Sequence, residues 1–476
     1  MKKETIKTIV LALLVISSIV LTINNWFSEK LWPDGYNFFS NLANYFVADE
    51  KPKSYYLSKE NVSNPAKIIV NNSDARGVYT HSSADFNDML KIVKKHLKAG
   101  LSQTGGITAG SDEVWKNALK TKSIYFSYPV TYDIKTFSAI LDTPVKAVTD
   151  GSVQEFIIVS GDAITGRPHL FVKTSGDGGY TDITLSADSL EVDSLIEKYA
   201  VSSSGEYPYS FELNFDKADE NTEQKVTIDS PVILSIKPIT APTLSEINYF
   251  EDISENEELY AEFLRAFGFN ASNIRKNVNL DKAIVFAENY GTIKMHPDGL
   301  LEFKALNNTK GIEIGRSSEF YDTFIDCIEF VNNVWDTACH EDNMDINLSS
   351  VKTGDAGNSF VITIDYYAEG MEVATRIDAT DSHSQLNHAI EIEVANSRIV
   401  SYRQAVRGYQ STGNTAQCTG VIEALDTLMA NESIKSDKIT SLYRAYFSDN
   451  GEECTPCWVA KTAGNETRII KDVAGR

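Results

Sequence analysis

"KAIVFAENYGTIKMHPDGLLEFKAL" occupies residues 282–306. It reads as two or three strands joined by turns, with Asn289-Tyr290-Gly291 and Pro297-Asp298-Gly299 supplying the turn chemistry. Just upstream, "NEELYAEFLRAFGFN" (256–270) has the spacing of an amphipathic helix. The same order then recurs. "SSEFYDTFIDCIEFVNNVWDTAC" (317–339) predicts a long helix. "SFVITIDYYAEGMEVATRIDA" (359–379) predicts a hairpin turning at Glu369-Gly370, and "HAIEIEVANSRIVSYRQAVR" (388–407) another turning near Ala395-Asn396. A last helix, "VIEALDTLMANES" (421–433), precedes a strand-loop-strand return over 438–462. A helix followed by antiparallel hairpins, used twice, points to an α+β class with related central and C-terminal domains.

Upstream, "SSADFNDMLKIVKKHLKAG" (82–100) places Phe86, Leu90, Val93 and Leu97 three and four apart. That predicts a helix, capped at its start by Ser83 or Asp85 and ended by Gly100. Helices are also expected over 110–123 and 132–141, and strands over 123–132, 155–160, 169–175 and 209–216. The proline-bearing stretch 226–244 marks the exit from a first domain.

At the N-terminal end, no charged residue occurs between Lys7 and Glu29. Wound as a helix, that run is about 31 Å long, enough for a hydrocarbon core of about 30 Å. A cleaved signal has a shorter apolar core and a small-x-small site, and neither is present here. No cysteine precedes Cys327, so there is no lipobox. The expectation is a retained transmembrane helix with Lys2, Lys3 and Lys7 in the cytoplasm and the bulk of the chain outside. Trp26 and Trp32 then lie near the outer interface.

The chain has 476 residues and a formal net charge of -22. Lys2, Lys3 and Lys7 against Glu4 give the first 28 residues +2, so the remainder carries -24. Such a surface repels nucleic acid and anionic lipid. Five cysteines in a chain of this size exclude a disulfide-stapled scaffold.

No G-x-S-x-G, Walker loop, H-E-x-x-H or G-x-G-x-x-G motif occurs. "SGDGGY" (175–180) reads as a surface turn. His388 and Glu391 lie three apart on a predicted strand and so face opposite sides, which argues against a shared metal. "HEDNMDIN" (340–347) lacks calcium-loop spacing and reads as a solvated loop. No catalytic residue, cofactor site or metal site is assigned. "EECTPCW" (452–458) holds a possible disulfide or thiol pair, Cys454 and Cys457. A loop disulfide or plain thiols, pairing with Cys418 or Cys339, and redox or zinc chemistry are the readings open to it. Cys327, on an apolar helix face, reads as buried.

On a helix of 100° per residue, Thr8, Ala12, Ser18 and Thr22 share one arc with Leu11, Val15 and Ile19, while Ser17 points away. Thr8/Ala12 and Ser18/Thr22 have the small-xxx-small spacing that lets membrane helices approach closely. These seven residues form the candidate partner-binding face.

Several stretches resemble the YycH (WalH) family: "MKKETIKTIVLALLVISSIVLT" at the start, "IYFSYPVTYDIKTFSAIL" (124–141), "GTIKMHPDGLLEF" (291–303), "HAIEIEVANSRIVSYRQ" (388–404) and "CWVAK" (457–461). The resemblance runs over nearly the full length. It implies a membrane-anchored extracytoplasmic protein of Gram-positive bacteria. The implied role is regulation of the WalK sensor histidine kinase of the WalK/WalR (YycG/YycF) system, which controls cell-wall metabolism. The implied partners are the kinase and a YycI-like protein, met through transmembrane helices. The implied fold has three outer domains, the later ones YycI-like, and no catalytic residues carry over. The motif Cys454-Thr-Pro-Cys457 is not part of the family pattern.

The expected layout is a cytoplasmic tail (1–7), a transmembrane helix (8–27), an N-terminal extracytoplasmic domain (38–242), a central α+β domain (243–315) and a C-terminal α+β domain (316–476). The rival reading is an extracytoplasmic ligand-binding or wall-processing protein with a passive anchor.

Overall fold

The computed structural model describes Leu57 and residues 62–470, apart from 81–82, 162–165, 176–178, 187–188, 204–205, 213–227, 229–234, 273, 316–319, 339–343, 354–358, 431–438, 449–452 and 463–466. The expected transmembrane helix lies outside the described residues. Among the described residues, no helix is long and apolar enough to cross a membrane.

The first part is an eight-stranded antiparallel sheet. Its strands are β1 (Lys67–Asn72), β2 (Ala75–Thr80), β3 (Ile107–Ala109), β4 (Ser123–Asp133), β5 (Ser152–Val159), β6 (His169–Ser175), β7 (Tyr180–Thr184) and β8 (Ser202–Ser203). They lie in the order β3-β7-β6-β5-β4-β1-β2-β8. Helices α1 (Phe86–Leu101), α2 (Asp112–Lys120), α3 (Ile134–Leu141) and α4 (Leu190–Tyr199) cover it. Both faces are buried, which explains the unbroken apolar run of β1. Ile68 and Val70 belong to the same core cluster as Val93 and Leu97 of α1, while Ile69 between them belongs to a second cluster with Trp115 and Leu119 of α2. Strand residues alternate faces, so one sheet serves two cores.

The helix over 82–100 forms as expected, with Phe86, Leu90, Val93 and Leu97 buried. Its ends differ. Asp85 is the N-cap but makes no side-chain cap bond, and the helix runs on to Leu101. Gly100 instead serves packing. A Cβ there would sit 2.6 Å from Leu170 Cδ2 and 2.8 Å from Leu185 Cδ2. The strand expected over 209–216 begins as a short 3-10 turn, Ser210–Glu212.

The second part is a sheet of thirteen strands. After β9 (Ile239–Asn248) and helix α5 (Glu257–Ala266) come β10 (Asn277–Val278), β11 (Ile284–Ala287), β12 (Gly291–Met295), β13 (Leu300–Ala305) and β14 (Ile312–Glu313). Helix α6 (Phe320–Ala338) leads to β15 (Met344–Thr353), β16 (Ser359–Ala368), β17 (Met371–Val373), β18 (Ile390–Ala395), β19 (Arg398–Ala405) and β20 (Arg407–Cys418). Helix α7 (Val421–Ala430) precedes β21 (Ile439–Phe447), β22 (Thr455–Thr462) and β23 (Thr467–Ile470). The main order is β10-β11-β12-β13-β19-β18-β16-β17-β21-β22-β23. Strand β14 pairs with β19 and β15 with β16. Among the described strand pairs of this sheet, β17–β21 alone is parallel, and Ile228 adds a single parallel bridge to Ile439 of β21. The class is therefore α+β with mostly antiparallel sheets.

The hairpins at 282–306, 359–373 and 390–405 form where the sequence predicts them. The sheet, however, crosses the expected border at 315/316 without interruption, because β13 pairs with β19 from Leu300↔Ala405 to Lys304↔Ser401. The acidic stretch read as a loop enters β15 at Met344. Strands β9 and β20 form a separate two-stranded sheet, and Leu244 of β9 also exchanges backbone hydrogen bonds with Cys454, just before β22.

One apolar cluster joins the two parts, holding Val93, Phe126 and Phe156 of the first and Phe303, Trp335 and Tyr402 of the second. At the seam, the Asn332 side chain of α6 accepts from Leu57 N at 3.0 Å and donates to Leu57 O at 2.7 Å.

A smaller cluster fixes the loop between β17 and β18. Leu300 and Ala405 of the sheet pack on Ile377 and Leu386 of the loop. Ile377 and Leu386 also exchange backbone hydrogen bonds, both at 2.9 Å. Truncating Leu386 to Ala should cost about 2–5 kcal/mol. Hydrogen exchange at the Ile377 and Leu386 amides should rise while β18 and β19 stay protected. Unchanged exchange at those two amides would show that the cluster does not hold the loop.

Candidate functional site

The seven residues of the expected membrane face, Thr8, Leu11, Ala12, Val15, Ser18, Ile19 and Thr22, lie outside the described residues. The other sequence candidates, Cys454 and Cys457, are buried thiols at the start of β22. Cys454 joins the large core, whereas Cys457 sits in a separate cluster with Ala445 and Val459. Residues three apart on an extended strand face opposite sides and are about 10 Å apart, beyond the roughly 7 Å that a disulfide spans. The Cys457 thiol donates to the Ala445 carbonyl at 3.3 Å. Burial, then the Glu246 charge, pushes the Cys454 thiol up to about 12. The strand thus separates the two sulfurs, and a thiol so shifted is not a nucleophile.

The chemistry gathers instead at the turn between β12 and β13. His296 N donates to Leu300 O, and Gly299 N donates to His296 O, both at 2.9 Å. Gly299 has φ +91°, and a Cβ there would meet Arg407 and Asn248, both at 2.9 Å, so this position requires glycine. Asn248 Nδ2 donates to Pro297 O at 2.7 Å, and Arg407 Nη2 donates to Asp298 O. The turn is therefore gripped from β9 and β20.

Two buried imidazoles meet at this turn. His383, from the loop fixed by Leu386, stands edge-on to His296 with ring centroids 4.8 Å apart. His383 Nε2 lies 2.7 Å from Asp298 Oδ2, and its Nδ1 lies 3.3 Å from Ser384 O. His296 Nε2 lies 3.1 Å from Glu302 Oε2, and its Nδ1 lies 3.9 Å from Asp281 Oδ2. Burial alone would raise the Glu302 carboxyl, but the His296 hydrogen bond and the charges of His296 and Arg403 outweigh it and hold the carboxyl low. One donor atom each from His296, Asp298 and His383 lies within 4.8 Å of the others. Spacing along the chain does not reveal this group, because His296 and His383 lie 87 positions apart and meet only in the fold. The available signal was H-x-D across the Pro297-Asp298-Gly299 turn.

His388 belongs to a second network. Its Nδ1 lies 2.9 Å from Asp365 Oδ1 on β16. Asp365 is buried, and Lys461 Nζ lies 4.0 Å from it and 3.8 Å from Glu372. Tyr443 donates to Glu372 at 2.5 Å. Burial would raise Asp365, but its hydrogen bond to His388 and the charges of His388 and Lys461 outweigh it and keep it low. Burial and the Asp365 charge push Glu372 up to about 7, against the opposing pull of Lys461 and Tyr443.

Comparison with known proteins bears out the resemblance read from the sequence. Residues 4–179 match the family described as YycH protein, N-terminal domain. The fold is similar to the crystal structure of YycH from Bacillus subtilis, with TM-score 0.52 and 14% identity over 88% of this chain and 98% of that one. An uncharacterized protein from Eubacterium rectale aligns with TM-score 0.34 and 12% identity, over 55% of this chain and 94% of that one. The C-terminal domain of Bacillus megaterium YpeB aligns with TM-score 0.25 and 8% identity, over 46% of this chain and 98% of that one. Among curated proteins, none matches the sequence.

The Glu372 carboxyl yields a pH test. Its value rises from 4.5 to about 7 on folding, so the folded chain holds that proton more tightly. The stability this contributes is complete below the unfolded value and is lost as pH rises through the folded one. Glu372→Gln stays neutral throughout. The Tm of E372Q relative to the parent should therefore climb by a few degrees between about pH 5 and about pH 8. A Tm difference that is flat or falls over that range would refute the assignment.

Proposed function

We propose that this chain, whose residues 4–179 belong to the YycH N-terminal domain family, is a membrane-anchored regulator of a WalK-like sensor histidine kinase. It acts without catalysis of its own and together with a YycI-like protein. Cell-wall metabolism is the process it tunes, and its bulk lies outside the cell membrane. The observation that carries this reading is the family match, which begins at residue 4 and therefore includes the uncharged run between Lys7 and Glu29. The YycH-like fold of the described residues supports it independently of sequence.

The mechanism follows from two-state logic. A helix that packs better against one signalling state of a kinase span shifts the kinase toward that state by the difference in affinity. Thr8, Leu11, Ala12, Val15, Ser18, Ile19 and Thr22 are the residues proposed to make that contact. Small side chains at Ala12 and Ser18 permit close approach, and hydroxyls at Thr8, Ser18 and Thr22 add hydrogen bonds across the interface.

The test is co-purification of the full-length chain with the kinase and the YycI-like protein. A version with residues 8–27 replaced by a plain leucine span runs beside it. Association should be lost on the swap. Ala12→Phe should weaken it several-fold, on the order of 1 kcal/mol, while Ser17→Leu on the opposite side leaves it intact. Association that survives the swap would move the contact to the outer domains. Absence of association in both versions would favour a passive anchor on a ligand-binding or wall-processing protein.

A further inference from the structure

We propose that His296, Asp298 and His383 form a binding site for a divalent transition-metal cation, with zinc the ion best suited to it. Two imidazoles and one carboxylate are the mixed nitrogen and oxygen donors that zinc accepts in sites with an open fourth position. The three donor atoms already lie within 4.8 Å of one another. Tetrahedral bonds of about 2.0–2.1 Å place ligand atoms about 3.4 Å apart. Closing the site on an ion therefore takes a contraction of up to about 1.4 Å in the longest separation and an opening of about 0.7 Å in the His383–Asp298 contact, where the ion replaces the proton.

The outer nitrogens of both rings are already engaged. Glu302 faces Nε2 of His296 at 3.1 Å, which leaves Nδ1 for the ion. The Ser384 carbonyl faces Nδ1 of His383 at 3.3 Å, which leaves Nε2, the atom now on Asp298. Ligand histidines characteristically donate their second N–H to such an oxygen, which fixes the tautomer and aims the ring. Asp281 Oδ2 lies 3.9 Å from His296 Nδ1 and brings a second negative charge to the edge of the three-donor group. Neutral histidines with Asp298 and Asp281 would balance the charge of a divalent ion.

The support is rigid and the route in is open. Asn248 and Arg407 grip the turn, and the Leu300–Leu386 cluster holds the His383 loop. The His296 and His383 side chains are buried, whereas those of Asp298 and Asp281 are 40% and 35% exposed. An ion can enter past the two carboxylates and be held against the two rings.

The experiment uses the full-length chain, stripped with chelator and equilibrated with zinc chloride, with metal counted by elemental analysis and affinity measured by calorimetry. The parent should bind one zinc per chain. D298N and H383N should each lose at least about 100-fold in affinity, and E302Q about 10–100-fold. H169N, which alters another His–Asp pair, should leave binding unchanged. Should H383N misfold by circular dichroism, D298N decides, because its side chain is partly exposed. Cobalt(II) gives a second readout: tetrahedral visible bands in the parent, lost in D298N. A parent that binds no stoichiometric zinc at micromolar concentration would overturn the proposal. So would D298N and H383N both retaining parental affinity.

Discussion

The antiparallel pairing of β13 with β19 is the constraint on which the second half of the molecule depends. It joins strands about a hundred residues apart, Leu300 to Ala405 and Lys304 to Ser401, and merges two sets of hairpins into one sheet. Val406 N then donates to Gly299 O at 2.8 Å, so the ladder continues into the turn. This brings Arg407 under Asp298, and it places the floor of Leu300 and Ala405 beneath the loop that carries His383. Without that pairing, His296 and His383 would belong to separate hairpins.

The sequence is most readable where the burial pattern is local. The hairpins around Asn289-Tyr290-Gly291, Glu369-Gly370 and Asn396 announce themselves through alternation and turn residues. At the last two hairpins, Glu369, Asn396 and Ser397 adopt positive φ, as tight turns demand. Where strands are polar, the signal fails. Strand β20 reads RGYQSTGNTAQC and is largely exposed along its length, so no alternation marks it. Its partner β9 carries Pro242, which a strand tolerates only where no ladder hydrogen bond is needed from that nitrogen. Strand β15 was hidden because its acidic leader HEDN runs directly into Met344.

Long-range features were not legible at all. Gly100 has the position of a helix stop, yet it is small because Leu170 and Leu185 come from another strand and loop to lie against it. Spacing rules for metal ligands look along the chain, whereas His296 and His383 are brought together across the sheet. The same limit hid the Asp365–Glu372–Lys461 network, whose members lie on β16, β17 and β22. The seam with the first part was equally invisible, since nothing in the neighbourhood of Asn332 predicts that its amide will take both backbone groups of Leu57.

The acid excess of the chain supplies a control for the histidine cluster. All five described histidines face a carboxylate: His96 with Glu191 at 3.4 Å, His169 with Asp182 at 2.8 Å, His296 with Glu302 at 3.1 Å, His383 with Asp298 at 2.7 Å and His388 with Asp365 at 2.9 Å. In a chain of net charge -22 such pairs are the expected background, and pairing alone identifies no site. His169 meets Asp182 with the Phe171 ring stacked beside it at 6.2 Å, and His388 meets an Asp365 that Lys461 also approaches at 4.0 Å. At the β12–β13 turn two rings converge, 4.8 Å apart, each with its own carboxylate, Glu302 on His296 and Asp298 on His383, and with the Ser384 carbonyl facing the second nitrogen of His383. Among the described residues, this histidine pair has donor atoms that gather with those of a carboxylate within 4.8 Å, and that convergence, not the pairing of any one ring, separates it from the other three.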